Sequence, residues 1–445
     1  MCGFFAKINS LNKKIDFNKI KKLCDNHLDR RGPDYNNQIN LKNNNFNLYF
    51  SHYRLSILDL DERSNQPFLD SSSNLLTIFN GEIYNYIELR EELINLGYKF
   101  RTKSDTEVLL KSWFHWGEKC LDKFIGMFSF AIYDKKNDQI ILVRDRYGIK
   151  PLYWYLNNNE LVFSSSCKVI AQLFSAKVNL NYCLRGIKYK IFENNSEESH
   201  YEKINNFIPG GIIYFDLKDK NIKLKKKKWY DLQFNVKKKI SHINKLSLSH
   251  VYEEVFNLLY DSIKLQLRSD VPVTTTLSSG LDSSSILALA NKIKQNNINP
   301  FIFGDKNNKN TEGPDTEKLL NVLAIKGNFY SLNNLNSVEA KSLFDDTIKA
   351  QEAPFSGFSI LAQNFLYKKI YKNKFKVVLS GQGADEIFAG YRKYFFYKLR
   401  ETYNENKFLN LINDLISLML VFTSELKHFN IYYQNSLRYM NKSKN

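Results

Sequence analysis

The chain has 445 residues, of which 43% are hydrophobic, 14% aromatic and 25% charged, a balance that excludes a disordered tract or a single small module and fits an enzyme of two or three domains. Sixty-four Lys and Arg against 46 Asp and Glu leave a formal net charge of +18. The cations are scattered among Asn and Ile, and the dense runs Lys225–Lys228 and Lys237–Lys239 come with no nucleic-acid-binding signature, so no nucleic-acid partner is expected.

The opening Met1-Cys2-Gly3-Phe4-Phe5 lacks the cationic segment, apolar core and cleavage site of a signal peptide. Five cysteines are too few, and odd in number, for a secreted disulfide framework. A cytoplasmic protein is the expectation. Over 2–215 short β-rich runs dominate: Leu75–Phe79, Phe128–Tyr133 and Gln139–Val143 read as strands. Tyr86–Leu96 reads as a helix, Asp134–Asp138 as a hairpin turn and Pro209-Gly210-Gly211 as a further turn. This predicts a mixed, sheet-dominated first domain. The basic, weakly patterned stretch 216–245 reads as a linker.

Over 246–445 the texture changes. Val251, Val255, Leu258, Leu259 and Ile263 recur at helical spacing and predict an amphipathic helix. A strand-like run, Val271–Leu277, meets a Ser/Gly turn and then an apolar helix from Ser284, and Lys376–Leu379 repeats the strand-then-turn plan. Parallel α/β is the fold class this predicts. Leu409–Phe422, interrupted by Asn410, Asn413 and Asp414, falls short of the ~20 residues that cross a bilayer and reads as a buried helix, so no membrane partner is expected.

Two constellations carry chemistry. If Met1 is removed, Cys2 bears both a thiol and a free α-amino group, whose ordinary pKa of about 7.7 to 8.0 suits a base near neutrality. Behind it, in order, come Arg30-Arg31-Gly32-Pro33-Asp34, Arg54-Leu55-Ser56-Ile57-Leu58-Asp59, Asn80-Gly81-Glu82-Ile83-Tyr84-Asn85 and Ser104-Asp105-Thr106-Glu107. Together these resemble the glutaminase domain of class II glutamine amidotransferases. The resemblance implies an N-terminal-nucleophile (Ntn) hydrolase αββα sandwich with Cys2 as nucleophile, and the Asn80 side chain and Gly81 N–H as oxyanion donors. It also implies glutamine binding by Arg54, Ile57, Glu82 and Asp105. The residue types suit an amino-acid ligand, since a guanidinium can clamp an α-carboxylate and two carboxylates can face an α-ammonium.

The second constellation is Leu277-Ser278-Ser279-Gly280-Leu281-Asp282-Ser283-Ser284, between a predicted strand and helix. N–H groups and hydroxyls at a helix start cradle phosphate, and an acid among them can hold Mg²⁺. The Gly-Lys-Ser/Thr ending of a Walker loop is absent, and a Ser-rich helix cap is the bland alternative. The segment resembles the pyrophosphate loop of ATP pyrophosphatases, and Leu379–Tyr391 resembles their second signature. This implies a Rossmann-like parallel α/β ATP-pyrophosphatase domain of the adenine nucleotide alpha hydrolase type. ATP would be bound by Leu277 to Ser284 with Ser380 and Gly381, and Mg²⁺ by Asp282 and Asp385. Ser279 stands where the family loop usually has Gly. In Gln351-Glu352-Ala353-Pro354-Phe355, Glu352 is the acid nearest the place of the implied amination base.

Both halves, in this order, resemble glutamine-hydrolysing asparagine synthetases. That implies ammonia released at Cys2, an internal tunnel, and attack on ATP-activated aspartate (β-aspartyl-AMP), giving asparagine, glutamate, AMP and pyrophosphate. A homodimer is implied too. The resemblance also implies chain beyond Asn445, Leu437–Asn445 matching only the beginning of that segment, so the second domain is expected to be truncated. Two alternatives stay open: the same architecture amidating another carboxylate, for surface polysaccharide or a secondary metabolite, or a basic binding protein on a non-catalytic scaffold.

Overall fold

The computed structural model describes residues 1–157, 159–189, 192, 196–243, 245–295, 297–308, 311–333, 335–355, 357–404 and 412–416. The first half runs through β1 (Gly3–Ser10), α1 (Phe17–Leu28), β2 (Tyr35–Lys42), β3 (Phe46–Arg54), β4 (Phe68–Asp70), β5 (Leu75–Ile83), α2 (Tyr86–Asn95), α3 (Asp105–Trp116) and α4 (Cys120–Lys123). It continues with β6 (Gly126–Asp134), β7 (Gln139–Arg144), β8 (Tyr153–Asn157), β9 (Glu160–Ser164), α5 (Cys167–Phe174), α6 (Leu180–Tyr189), β10 (Asn205–Asn206), β11 (Gly211–Asp216) and β12 (Lys223–Lys228).

Antiparallel pairing sorts these strands into two six-stranded sheets, ordered β10-β8-β9-β1-β3-β2 and β12-β11-β7-β6-β5-β4. Their central strands are apolar on both faces, and the two-residue alternation sends each face to a different layer. Phe4, Ala6 and Ile8 meet Leu76 and Ile78 between the sheets, whereas Phe5 turns outward beneath α1 and α5. On the far side, Phe128 and Phe130 pack under Leu89, Val108 and Leu109 of α2 and α3. The expected αββα sandwich results. Helix α1 reaches its sheet through Ile20, Cys24 and Leu28, one stripe at four-residue spacing, and the Asp16 side chain caps its start by accepting from the Lys19 N–H at 3.0 Å.

Strand β5 runs past the predicted Phe79 to Ile83, so Asn80 and Gly81 lie within a ladder, opposite Ser129 and Phe128, and not in a turn. A Cβ at Gly81 would lie 2.3 Å from the Met127 carbonyl oxygen, so only glycine permits this approach of β5 to β6. Residues 216–245, expected to be a linker, carry strand β12 on β11 and helix α7 (Leu232–Ile243). A lysine run serves as an edge strand because its side chains reach solvent and discourage further pairing. Lys223, Lys226, Lys227 and Lys228 are moreover paired with Asp219, Glu197, Glu118 and Asp231.

The second half contains α8 (Leu248–Gln266), β13 (Val273–Leu277), α9 (Leu281–Lys294), β14 (Phe301–Phe303), α10 (Gly313–Leu323) and β15 (Asn328–Tyr330). It goes on through α11 (Ser337–Gln351), α12 (Ser359–Lys372), β16 (Val377–Leu379), α13 (Ala384–Ile387) and α14 (Arg392–Asn404). The four strands form a parallel sheet ordered β15-β14-β13-β16. Ile263, Leu287 and Leu320 of α8, α9 and α10 cover one face, while Leu366 and Ile370 of α12 lie on Phe301 at the other. Helices on both faces bury a parallel sheet, as the sequence led us to expect.

The predicted apolar face of α8 is only partly used: Ile263 is buried, but Val255 and Leu258 are exposed, because only the C-terminal half of the helix reaches the sheet. The helix expected over Leu409–Phe422 lies mostly outside the described residues, as does Leu437–Asn445. Within 412–416 burial is the reverse of the expectation. Ile412, Leu415 and Ile416 are exposed, while Asp414 is enclosed by bonds from Lys398 and Thr402. Among the described residues no helix is long and apolar enough to cross a membrane.

Candidate functional site

Strand register assembles the first cluster. Gly3 of β1 stands opposite Tyr53 of β3, which sets Cys2 beside the end of β3 at Arg54 and Leu55. The Leu55 N–H donates to Cys2 Sγ at 3.3 Å, and the thiol faces the Leu55 carbonyl at 3.7 Å. Burial pushes the Cys2 pKa up, outweighing the terminal ammonium and the Leu55 hydrogen bond that lower it. Such a thiol needs a base before it can attack. Burial also drives the α-amino group at the chain start, here that of Met1, down to about 5, so near neutrality it is an unprotonated acceptor.

Asn80 is fully enclosed, and neither its Nδ2 nor its Oδ1 has a hydrogen-bond partner among the described residues. An unsatisfied buried amide costs about 1 to 3 kcal/mol, an arrangement suited to meeting a ligand. Two residues on, burial pushes the Glu82 carboxyl well up, and the nearby Asp105 adds to this while Lys150 opposes it. Asp105 opens α3 directly after the capping Ser104, and its carboxylate accepts from the Ile83 N–H at 3.0 Å. Burial still raises its pKa to about 6 from 3.8. Between those values the folded chain holds a proton that the unfolded chain releases, so this group costs stability as pH rises through that window.

Arg54, 6% exposed, is not the open two-pronged clamp the sequence suggested. One Nη donates to Asn65 Oδ1 at 2.7 Å and the Asp61 carbonyl at 3.1 Å; the other serves the Leu58 and Asp59 carbonyls. The guanidinium thus props the loop over 58–65, and a ligand carboxylate would meet it along its Nε edge or displace a carbonyl. Ile57 is half-buried at the base of this loop, its carbonyl accepting from the Asp270 N–H at 3.0 Å.

Sequence reasoning missed Lys150. It is 4% exposed; burial lowers its pKa, against Glu82 and Cys2, whose negative charge raises it. Asp145 shapes the surrounding turn by accepting the N–H groups of Phe128, Tyr147, Ile149 and Lys150. The available signal was a lysine pinned between Gly148, at φ 68°, and Pro151.

The second cluster follows from strand order. β13 and β16 pair directly, with Thr275 opposite Leu379, so the loops at 278–280 and 380–383 leave the same end of adjacent parallel strands. The second loop lies against the first turn of α9: a Cβ at Gly381 would lie 3.2 Å from the Ser283 nitrogen and 3.3 Å from the Asp282 Cβ. Ser278 Oγ lies 2.9 Å from Ser283 Oγ and accepts the Gly280 N–H at 3.2 Å, folding the turn back on the helix start. The Ser279 N–H donates to Glu312 Oε2 at 3.1 Å, so a carboxylate already occupies a donor that a phosphate oxygen could take. Leu277 is buried in the sheet, while Leu281 and Ser279 are exposed. Ser284 Oγ turns back to the Leu281 carbonyl at 2.9 Å. Asp282 lies in the first turn of α9 and Asp385 in that of α13.

Among the described residues no bond brings Glu352 to this turn. It caps α11 in the left-handed region, at φ 59°, and its carboxylate accepts from Ser166 Oγ of the first half at 2.7 Å.

Residues 1–230 match the family described as a glutamine amidotransferase domain, and residues 254–436 match that described as asparagine synthase. The chain is 31% identical over 409 residues to a Methanocaldococcus jannaschii protein bearing the name putative asparagine synthetase (glutamine-hydrolysing) 2, across 88% of this chain and 76% of that one. Against asparagine synthetase (glutamine-hydrolysing) 1 of Bacillus subtilis it is 32% identical over 410 residues, covering 88% of this chain but 59% of the relative. Amidase chyE of Penicillium rubens is 26% identical over 375 residues, with 81% and 53% covered. The chain thus spans between about half and three quarters of the length of these relatives. Two matched halves in the same order, and an identity above 30% across three quarters of a relative, establish that this chain belongs to the asparagine synthase family, with a glutamine amidotransferase domain as its first half.

Proposed function

We propose that the chain is a glutamine-dependent asparagine synthetase, with a glutaminase unit over 2–215 and an ATP-pyrophosphatase unit over 246–445. The observation that supports it most is the enclosed Asn80 amide, unpartnered at both polar atoms, in the strand that also carries Glu82 in the electrostatic neighbourhood of Cys2. Once Met1 is removed, the α-amine of Cys2 takes the thiol proton and the sulfur attacks the carboxamide carbon of glutamine. The oxyanion forms at the Asn80 amide and the Gly81 N–H. Ammonia departs with the proton returned by the amine, and water releases glutamate from the thioester.

At the second site Ser278 to Ser284 and Ser380–Gly381 hold the phosphates of ATP, and the aspartate carboxylate displaces pyrophosphate. Among the described residues no cluster of three metal-ligating side chains exists. Asp282 and Asp385 therefore fit Mg²⁺ only in company with phosphate oxygens, where it would neutralise their charge. Glu352 is the acid available to take a proton from incoming ammonia once it exchanges its Ser166 bond. All five cysteines are unbridged, which accords with a cytoplasmic protein, and a homodimer is the family arrangement we carry over.

The test is product analysis. Glutamine, aspartate and Mg-ATP should yield asparagine, glutamate, AMP and pyrophosphate; glutamate without AMP would leave the glutaminase half alone standing, and a different amide product would identify another acceptor carboxylate.

A pH dependence follows as well. The glutamine ammonium favours the ionised forms of Asp105 and Glu82, so binding at a pH below about 6 must expel a proton from Asp105. KM for glutamine should rise up to about tenfold per pH unit on the acid side. Glutamate release measured from pH 5 to 8 with an unchanged KM would exclude these carboxylates as the ammonium site.

A further inference from the structure

The residues leading into β13, the strand that ends in the proposed nucleotide loop, are strapped to the loop over 57–59 and to the segment that follows β5. Asp270 Oδ2 accepts the Asp59 N–H at 2.7 Å, and the Asp270 N–H donates to the Ile57 carbonyl at 3.0 Å. Two residues earlier, Arg268 forks onto the Glu88 carboxylate and donates to the Tyr84 carbonyl at 2.8 Å, three residues beyond Gly81.

Asp59 is the sensitive member of this contact. It sits at φ 50°, a conformation that a residue with a side chain seldom adopts unless its surroundings hold it there. Its carbonyl is held by Arg54, its carboxylate by the Lys103 N–H at 2.6 Å and the Ser64 hydroxyl at 2.5 Å, and its own N–H by Asp270. Of these four restraints Asp270 alone comes from the second half of the chain. The same short loop begins at Leu55, whose N–H touches the Cys2 sulfur.

We infer that Asp270, assisted by Arg268, is a positioning residue of the glutaminase site: it holds residues 57–59, and through them Arg54 and Leu55, in the geometry dictated by the strand that carries the nucleotide loop. The inference rests on the glutaminase reading of Cys2. It makes the glutamine pocket complete only when β13 is docked, so glutamine hydrolysis is tied to the presence of the folded second site. The geometry needs an acceptor at residue 270 and not a charge, so Asn should serve where Ala does not.

The experiment measures glutamate release against glutamine concentration for the full chain and for the Asp270→Ala and Asp270→Asn variants, with melting temperatures alongside. Asp270→Ala should raise the glutamine KM roughly 3- to 10-fold with a smaller change in kcat, since displaced binding groups weaken substrate capture before chemistry. The melting temperature should stay unchanged, because Asp270 is exposed, and Asp270→Asn should return KM to the parent value. A parent-like KM in the Ala variant would overturn the inference. So would equal impairment of both variants, or activity lost in step with the melting temperature. A parent chain that releases no glutamate would sink the glutaminase reading itself, and this inference with it.

Discussion

Cys2→Ala should abolish glutamate release, by roughly 10⁴-fold or more, because a covalent route with no nucleophile leaves only the residual catalysis of oxyanion donors and binding. Among the described residues no histidine bonds the half-buried Cys2 thiol, whose hydrogen-bond partners are the N–H and carbonyl of Leu55. His52, an enclosed imidazole on the neighbouring strand β3, is pushed down to about 3 by burial, and its Nε2 lies 3.0 Å from the Phe79 carbonyl. Synthesis driven by added ammonium chloride should continue in the variant, since among the described residues no hydrogen bond joins Cys2 to the proposed nucleotide loop over 278–284. Glutamate release surviving in Cys2→Ala would remove the sulfur from the mechanism.

Asn80→Ala should lower kcat for glutamine hydrolysis by about 10² to 10³, the range for losing one preorganised oxyanion donor. KM should change little, because the donor is worth more to the tetrahedral intermediate than to the planar amide, and so kcat and kcat/KM fall together. Stability supplies the discriminating readout. A structural asparagine would lose hydrogen bonds on truncation and lower the melting temperature. Here both polar atoms of the side chain lack partners among the described residues while buried, so its removal should leave the melting temperature unchanged or raise it. A destabilised variant with proportionate losses in activity would return Asn80 to the scaffold.

The pH and positioning effects are smaller and share one cause. The proposed glutamine pocket brings the half-buried Cys2 and Glu82 together with the buried Asp105 and Lys150, so each group's protonation depends on the others and on the ligand. A site of this kind is costly for an isolated sandwich to keep in order. Restraints that reach it from the second half are a physical answer to that cost.

Much of this was legible in the primary structure. The order of the motifs behind Cys2 identified the αββα half, and a strand, a Ser/Gly turn and a helix repeated at Leu277 and Leu379 identified the parallel half. The αββα form was implied by the resemblance those motifs carry, local pattern alone giving a mixed, sheet-dominated domain, whereas the parallel half was read from strand, turn and helix patterns directly. Composition misled where it was used alone. The lysines over 223–228 read as a linker, yet they form an edge strand, because backbone pairing to β11 does not depend on apolar side chains once the outer face is solvent.

What only the tertiary structure decided are the relations between distant segments. That Lys150 enters the field of Glu82, that Glu352 reaches Ser166 and that Asp270 grips Asp59 are relations across as many as 211 positions, and no local pattern encodes them. Local chemistry chose the residues and the elements. Sheet order, register and the docking of one half on the other then determined which of those residues share a site, because burial and Coulomb interaction depend on separation in space and not along the chain.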